Sequence, residues 1–274
     1  MALTAFQRIV CRLIAGNRIA TGESYIAGAV ALNELIGAAR LSRDIDVFHD
    51  SEAAVDAAWN ADRRLLEAEG FVVHALRERP SFVEAEVGRE GQTVVMQWAR
   101  DSAFRFFPLV QHDEMGLTLH PFDLATNKVL ALVGRLEARD WIDVIECHQR
   151  LQPLGYLAWA ACGKDPGFSP AAILEHAART ARYSAAEVEQ LSFAGPPPEV
   201  GRLSRTWHAM LEEGRRIIAA LPADEAGTCV LGASGDLYQG APEDLDAALR
   251  QQEITFHRGR IRGALPQVVS VLGG

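Results

Sequence analysis

Cysteine is scarce and scattered in this chain. Cys11, Cys147, Cys162 and Cys229 are the four in 274 residues. None belongs to a Cys-x-x-Cys, which argues against a zinc site and fits reduced thiols in a cytosol. Long apolar runs are missing too. The stretch from Leu151 to Gly163 comes nearest and is too short to span a bilayer, so no membrane partner is expected. The first residues, Met1 to Arg8, lack the layout of a signal peptide, and a cytoplasmic location is expected. Positive charge is in deficit, with 27 Lys and Arg against 36 Asp and Glu, a formal net charge of −9. Bulk electrostatics therefore do not mark a nucleic-acid binder, although a local basic groove remains compatible with them.

Several familiar motifs are absent as well. Gly22, Gly28 and Gly37 do not make the dinucleotide fingerprint, so a Rossmann reading is rejected. Gly163-Lys164-Asp165-Pro166-Gly167-Phe168-Ser169-Pro170 is no P-loop, because the upstream Gly is missing and neither Ser nor Thr follows Lys164. His49 stands beside Asp46 and Asp50, but without the partners at ligand spacing that a metal hydrolase needs. No internal repeat is visible.

What is present is ordinary for a soluble globular protein: 49% hydrophobic and 23% charged residues. The length allows one large domain or two smaller ones. Phe6, Ile9, Val10, Leu13 and Ile14 recur at helical spacing behind Thr4, a candidate cap. Ser51 opens a second helix that runs to Glu69 and stops at Gly70. Phe71 to Leu76 is strand-like. Phe82 to Gly88 and Thr93 to Ala99 flank a turn at Arg89-Glu90-Gly91-Gln92 and predict a hairpin.

The organising stretch lies between these elements. Ser24 to Ala27 reads as a short strand, Gly28 as a tight turn, and Ala29 to Leu35 as a helix. Arg43 to Phe48 reads as the next strand. Its alternation puts Asp44 and Asp46 on one face, with Ile45 and Val47 on the other. Two neighbouring carboxylates raise each other's pKa unless a cation neutralises them. Mg²⁺ or Mn²⁺ does this with oxygen ligands and substrate phosphates. The turn at Gly28 and the helix after it offer backbone N–H groups to a phosphate. Together these residues point to a metal–triphosphate site.

Further along, Leu119-His120-Pro121-Phe122-Asp123-Leu124-Ala125-Thr126-Asn127-Lys128 runs into a helix, with Asp123 as its expected cap. Lys128 and Arg135 lie two turns apart and share a face, and in a helix Asp140 and Asp143 also share a face. With Gly28 and Asp-x-Asp upstream, this combination resembles the AbiEii/AbiGii toxin branch of the nucleotidyltransferase superfamily, over roughly residues 26–145. The resemblance implies an enzyme that moves NMP from an NTP to an acceptor hydroxyl. Asp44 and Asp46 would hold the metal, and Gly28 and Ala29 would lie at the phosphates. Lys128 would neutralise the triphosphate. Either Asp140 or Asp143 would complete the acidic site or orient Lys128 and Arg135. The toxin branch also implies tRNA as an acceptor and an antitoxin as a partner.

Two positions depart from the pattern. Ala29 stands where the family has Gly or Ser, and Gln97 stands where a third carboxylate is expected. Asp101 is the nearest substitute base, with Glu84 and Glu86 as alternatives. The departures leave open a silent nucleotide-binding or partner-binding module of the same fold.

The rest of the chain predicts further helices from Leu151. Ser169 and Pro170 start one, Ser184 with Glu187 forms a capping box, and Val200 to Leu211 marks a core-facing helix closed by Pro222. In the tail, Thr228 to Leu231 and Asp236 to Tyr238 read as strands and Glu243 to Arg250 as a helix. His257-Arg258-Gly259-Arg260-Ile261-Arg262-Gly263 forms a basic cluster in an acidic protein, a candidate contact for a phosphate-bearing acceptor. The expected architecture is α+β. A small mixed sheet with helices fills residues 1–120, a helical domain fills 121–222, and a small strand–helix segment fills 223–274.

Overall fold

The computed structural model describes residues 3–179 and 183–266. The last eight residues of the expected C-terminal segment lie outside the described residues. The chain packs as two compact units. One comprises Met1–Ala103, Pro108–Leu124 and Ser192–Gly195; the other comprises Phe104–Phe107, Ala125–Leu191 and Pro196–Gly274.

The first unit begins with α1 (Ala5–Thr21), β1 (Ser24–Ala27), α2 (Gly28–Ile36), β2 (Asp44–His49) and α3 (Glu52–Ala68). The strands β3 (Val72–Arg79), β4 (Phe82–Arg89) and β5 (Gln92–Arg100) follow. After β6 (Phe104–Arg105), which belongs to the second unit, come β7 (Val110–His112) and β8 (Gly116–Thr118). Among the described residues the sheet has seven strands, in the order β3-β4-β5-β2-β1-β8-β7. It is mixed: β2 runs antiparallel to β1 but parallel to β5, and β1 runs parallel to β8. This is the α+β sheet the sequence predicts.

Alternation explains its two faces. Ile45 and Val47 of β2, Val83, Ala85 and Val87 of β4, and Val94, Met96 and Trp98 of β5 are buried. The helices pack on that side: Trp59 of α3 meets Trp98 edge-on at 4.9 Å between ring centroids. A buried polar knot sits in the same layer. Asp62 accepts from Arg18 at 3.1 Å, from the Trp98 indole at 2.9 Å and from Asn17 at 2.8 Å. His49, at the end of β2, is fully buried nearby. Burial pushes its pKa down to about 4, so it is neutral at pH 7.

Helix starts follow local chemistry. Thr4 caps α1 in a capping box with Gln7, and Ser51 caps α3 through the Ala54 N–H. The expected cap at Asp123 is corrected. Helix α4 (Pro121–Arg135) starts two residues earlier, the His120 ring accepts the Phe122 N–H at 3.2 Å, and Asp123 lies buried inside the first turn.

The second unit continues from α4 through α5 (Ala138–Arg150), α6 (Leu154–Ala161), α7 (Pro170–Ala178), α8 (Ala185–Glu189) and α9 (Val200–Ala220). Ser169 and Ser184 cap α7 and α8. Helices α6 and α9 approach closely at Gly155, where a Cβ would lie 2.7 Å from Ile217 Cβ. Then come β9 (Thr228–Gly232), α10 (Leu245–Arg250), β10 (Ile254–Arg258) and β11 (Arg260–Ile261). β9 pairs with β10, and β11 with β6. Val230, Leu245 and Ile254 join Tyr156, Trp159 and Ile217 in one buried cluster. Gln152, buried, donates to the carbonyls of Val230 at 3.0 Å and Tyr238 at 2.8 Å. Val230, Leu245 and Ile254, all beyond residue 223, are thus part of this core. The strand expected over Asp236–Tyr238 is reduced to a single bridge between Leu231 and Leu237, because the chain turns back tightly on Gly232. Among the described residues, no helix is long and apolar enough to cross a membrane, and all four cysteines are free thiols.

Candidate functional site

The open face of the first unit's sheet carries the acids. Asp44 and Asp46 are half-buried on β2, while Ile45 and Val47 face the core. Gly28 follows β1 directly at φ +66°, a left-handed conformation that glycine adopts without strain. A Cβ built there would lie 1.9 Å from Asp46 Oδ2. The turn therefore brings bare backbone against a carboxylate, a cradle that any side chain would fill. Helix α2 starts at Gly28, its N-cap residue Ala27 has no side chain able to cap it, and Ala29 lies in its first turn. Its leading N–H groups, with the helix dipole, make a place for an anion.

Asp44 is held from behind. Its Oδ1 accepts from Ser42 Oγ at 2.8 Å, and the Ser42 carbonyl accepts from Gln7 Nε2, also at 2.8 Å. Gln7 is the residue that completes the α1 capping box. Sequence reading passes over Ser42 and Gln7, because this link closes across 35 residues.

The register lines up one row across the sheet. Ala27 pairs with Asp46, Asp46 with Gln97, Gln97 with Glu84, and Glu84 with Arg77. Gln97 Nε2 donates to Glu84 Oε1 at 3.0 Å. The parallel row runs from Asp44 through Val95 to Glu86. Asp101 is elsewhere. It follows the end of β5, past the pairing of His49 with Arg100, and its N–H donates to the His49 carbonyl at 2.9 Å. Its Oδ1 accepts the Ser102 N–H at 2.7 Å. Four strand positions beyond Gln97 amount to about 13 Å at the usual rise.

Among the described residues, no group of three or more His, Cys, Asp or Glu is placed to hold a metal. Asp44 and Asp46 offer two carboxylates beside the start of α2. That donor set fits Mg²⁺, which binds through one or two carboxylates and completes its shell with water and substrate phosphates.

The other expected residues belong to the second unit. Lys128 Nζ lies 2.9 Å from Asp140 Oδ1 and 3.1 Å from Asp143 Oδ2, and both aspartates are fully buried. Arg135 also pairs with Asp140, through Nε at 3.2 Å and Nη2 at 3.0 Å. Where the sequence leaves a choice between Asp140 and Asp143, the structure puts both on Lys128. Asn127, next in the chain, accepts from Lys164 Nζ at 2.8 Å.

The basic cluster of the tail is divided. His257 is buried, with Nε2 2.8 Å from the Phe106 carbonyl. Arg258 pairs with Glu225 at 3.0 Å, and Arg260 is exposed on β11.

No family model matches the chain, and no match is found among curated proteins. Three solved structures share its fold. A Helicobacter pylori protein described as a candidate nucleotidyltransferase is 17% identical, with a TM-score of 0.50 over 81% of this chain and 99% of its own. JHP933, also from Helicobacter pylori, is 15% identical, with a TM-score of 0.50 over 77% and 91%. MenT4, a nucleotidyltransferase toxin from Mycobacterium tuberculosis, is 15% identical, with a TM-score of 0.50 over 79% and 83%.

Proposed function

We infer that this chain, which has the nucleotidyltransferase-like fold of these neighbours, transfers a nucleoside monophosphate from an NTP to an acceptor hydroxyl and releases pyrophosphate. The observation that carries this reading is Gly28. Its backbone fits against Asp46 at the start of α2, where a side chain would collide with the carboxylate.

Asp44 and Asp46 are the residues that would hold Mg²⁺ or Mn²⁺. When bound, the ion would neutralise the two acids and stabilise charge on the phosphoryl oxygens. Ser42 holds one oxygen of the Asp44 carboxylate by a hydrogen bond. The N–H groups at Gly28 and Ala29 bind phosphate oxygen, and Ala29 contributes no hydroxyl there. Within the second unit Lys128 and Arg135 pair with carboxylates, and Asp140 and Asp143 hold the Lys128 ammonium in one orientation. The acceptor proposed is RNA, tRNA in particular. By analogy with the toxin neighbour, an antitoxin protein is the proposed partner, in the cytoplasm.

A second reading is a catalytically silent nucleotide-binding or partner-binding module. Gln97 favours it, because the strand position beside Asp46 carries no charge. One experiment separates the two. The protein is incubated with each α-labelled NTP, Mg²⁺ or Mn²⁺, and total tRNA. The wild type labels the RNA, and Asp44→Asn or Asp46→Asn lowers labelling by about 100-fold or more while the fold persists. Full labelling by Asp44→Asn would refute the assignment. Metal-dependent NTP binding without transfer would establish the silent module.

A further inference from the structure

Transfer to a hydroxyl needs a group to receive the hydroxyl proton. Asp44 and Asp46 are committed to the metal in the reading above, and the amide of Gln97 neither gains nor loses a proton near neutrality. We propose that Glu84 receives that proton and that Gln97 positions it; the inference rests on the transferase reading.

Three observations support the assignment. Glu84 shares the open face and the row of Asp46, with Gln97 between them. Strands stand about 4.8 Å apart, so the backbones of Asp46 and Glu84 are about 10 Å apart. Gln97 Nε2 donates to Glu84 Oε1 at 3.0 Å, which fixes one carboxylate oxygen. The competing acids are placed worse. Glu86 is exposed, lies in the row of Asp44, and has no side-chain partner among the described residues. Asp101 is about 13 Å down the strand by its register, with one oxygen bonded to the Ser102 N–H.

The step balances as an in-line displacement. The acceptor O–H bond breaks and its proton goes to the Glu84 carboxylate. The freed oxygen electron pair forms the bond to the α-phosphorus. The bond from that phosphorus to the bridging β-phosphoryl oxygen breaks, and its electrons leave on pyrophosphate.

The test compares wild type, Glu84→Gln, Glu86→Gln and the exchanged pair Glu84→Gln with Gln97→Glu. Labelling of total tRNA from α-labelled NTPs gives kcat, and calorimetry with Mg–NTP gives affinity. Glu84→Gln is expected to lower kcat by about 100-fold or more with unchanged NTP affinity. Glu86→Gln should behave as wild type. The exchanged pair keeps an amide–carboxylate hydrogen bond and moves the carboxylate beside Asp46, so it should regain about tenfold or more over Glu84→Gln. A Glu84→Gln enzyme that turns over as the wild type does, one that loses NTP affinity instead of turnover, or an exchanged pair no faster than the single variant would each overturn the assignment. Absence of labelling by the wild type would sink the transferase reading and Glu84 with it. Labelling that survives Glu84→Gln but not Asp44→Asn would sink Glu84 alone.

Discussion

Gly28 and Asp46 occupy a space that no larger residue at position 28 can share, since a Cβ there would lie 1.9 Å from Asp46 Oδ2. Gly28→Ala must displace the carboxylate or the turn, and it also forces alanine to φ +66°. The strain alone costs about 1 kcal/mol. Urea unfolding should show that loss, and calorimetry should show Mg–NTP binding abolished. Unchanged binding would mean the close approach is not needed for phosphate.

Asp62 is the acceptor for Arg18, Asn17 and the Trp98 indole, and both ends of its ion pair with Arg18 are buried. Asp62→Ala would leave the Arg18 guanidinium charged and without its carboxylate in the core. The expected loss is about 3–5 kcal/mol, measured by urea unfolding. A smaller variant effect would mean that water reaches Arg18.

Asp140 pairs with Lys128 and Arg135, and Asp143 pairs with Lys128. Removing either carboxylate takes a counter-ion from the buried Lys128, so Asp140→Asn and Asp143→Asn should each cost about 3 kcal/mol. Arg135 is half-exposed, and its contact adds only about 0.5 kcal/mol to the Asp140 value. Equilibrium unfolding of the pair of variants would reveal the order.

Two histidines make stability depend on pH. Burial pushes His49 and His148 down to about 4 from the ordinary 6.5. In the unfolded chain each takes a proton as pH falls below about 6.5, while the folded form resists until about 4. Their contribution is therefore full above 6.5 and is lost as pH falls through the folded value, of order 3 kcal/mol each. The urea midpoint should drop steadily over this window. His148 Nδ1 accepts the Leu154 N–H at 3.1 Å. His148→Gln keeps an acceptor without the titration and should flatten part of the slope.

Features written in local chemistry could be read before any coordinates. The period of two in β2 puts Asp44 and Asp46 outward, and Thr4, Ser51, Ser169 and Ser184 mark helix starts because a cap acts within three residues. Long-range pairing could not be read in this way. Nothing near Phe104 foretells its pairing with Ile261 of β11, 157 residues on, and the register that joins Gln97 to Glu84 depends on which strands become neighbours. Asp62 looks like a solvated helix residue until the fold sets Arg18 and Trp98 against it. Asp123 fits the cap pattern, but the His120 ring bonds the Phe122 N–H instead.

The Trp159 indole donates to the Glu225 carbonyl at 2.9 Å, and the buried Gln152 amide bonds two carbonyls beyond residue 223. A fragment cut at Pro222 would strand these donors and uncover Tyr156, Trp159 and Ile217 to water. Such a truncation would clump in expression trials and offer proteases new cleavage points, so tags and fusions belong after β11.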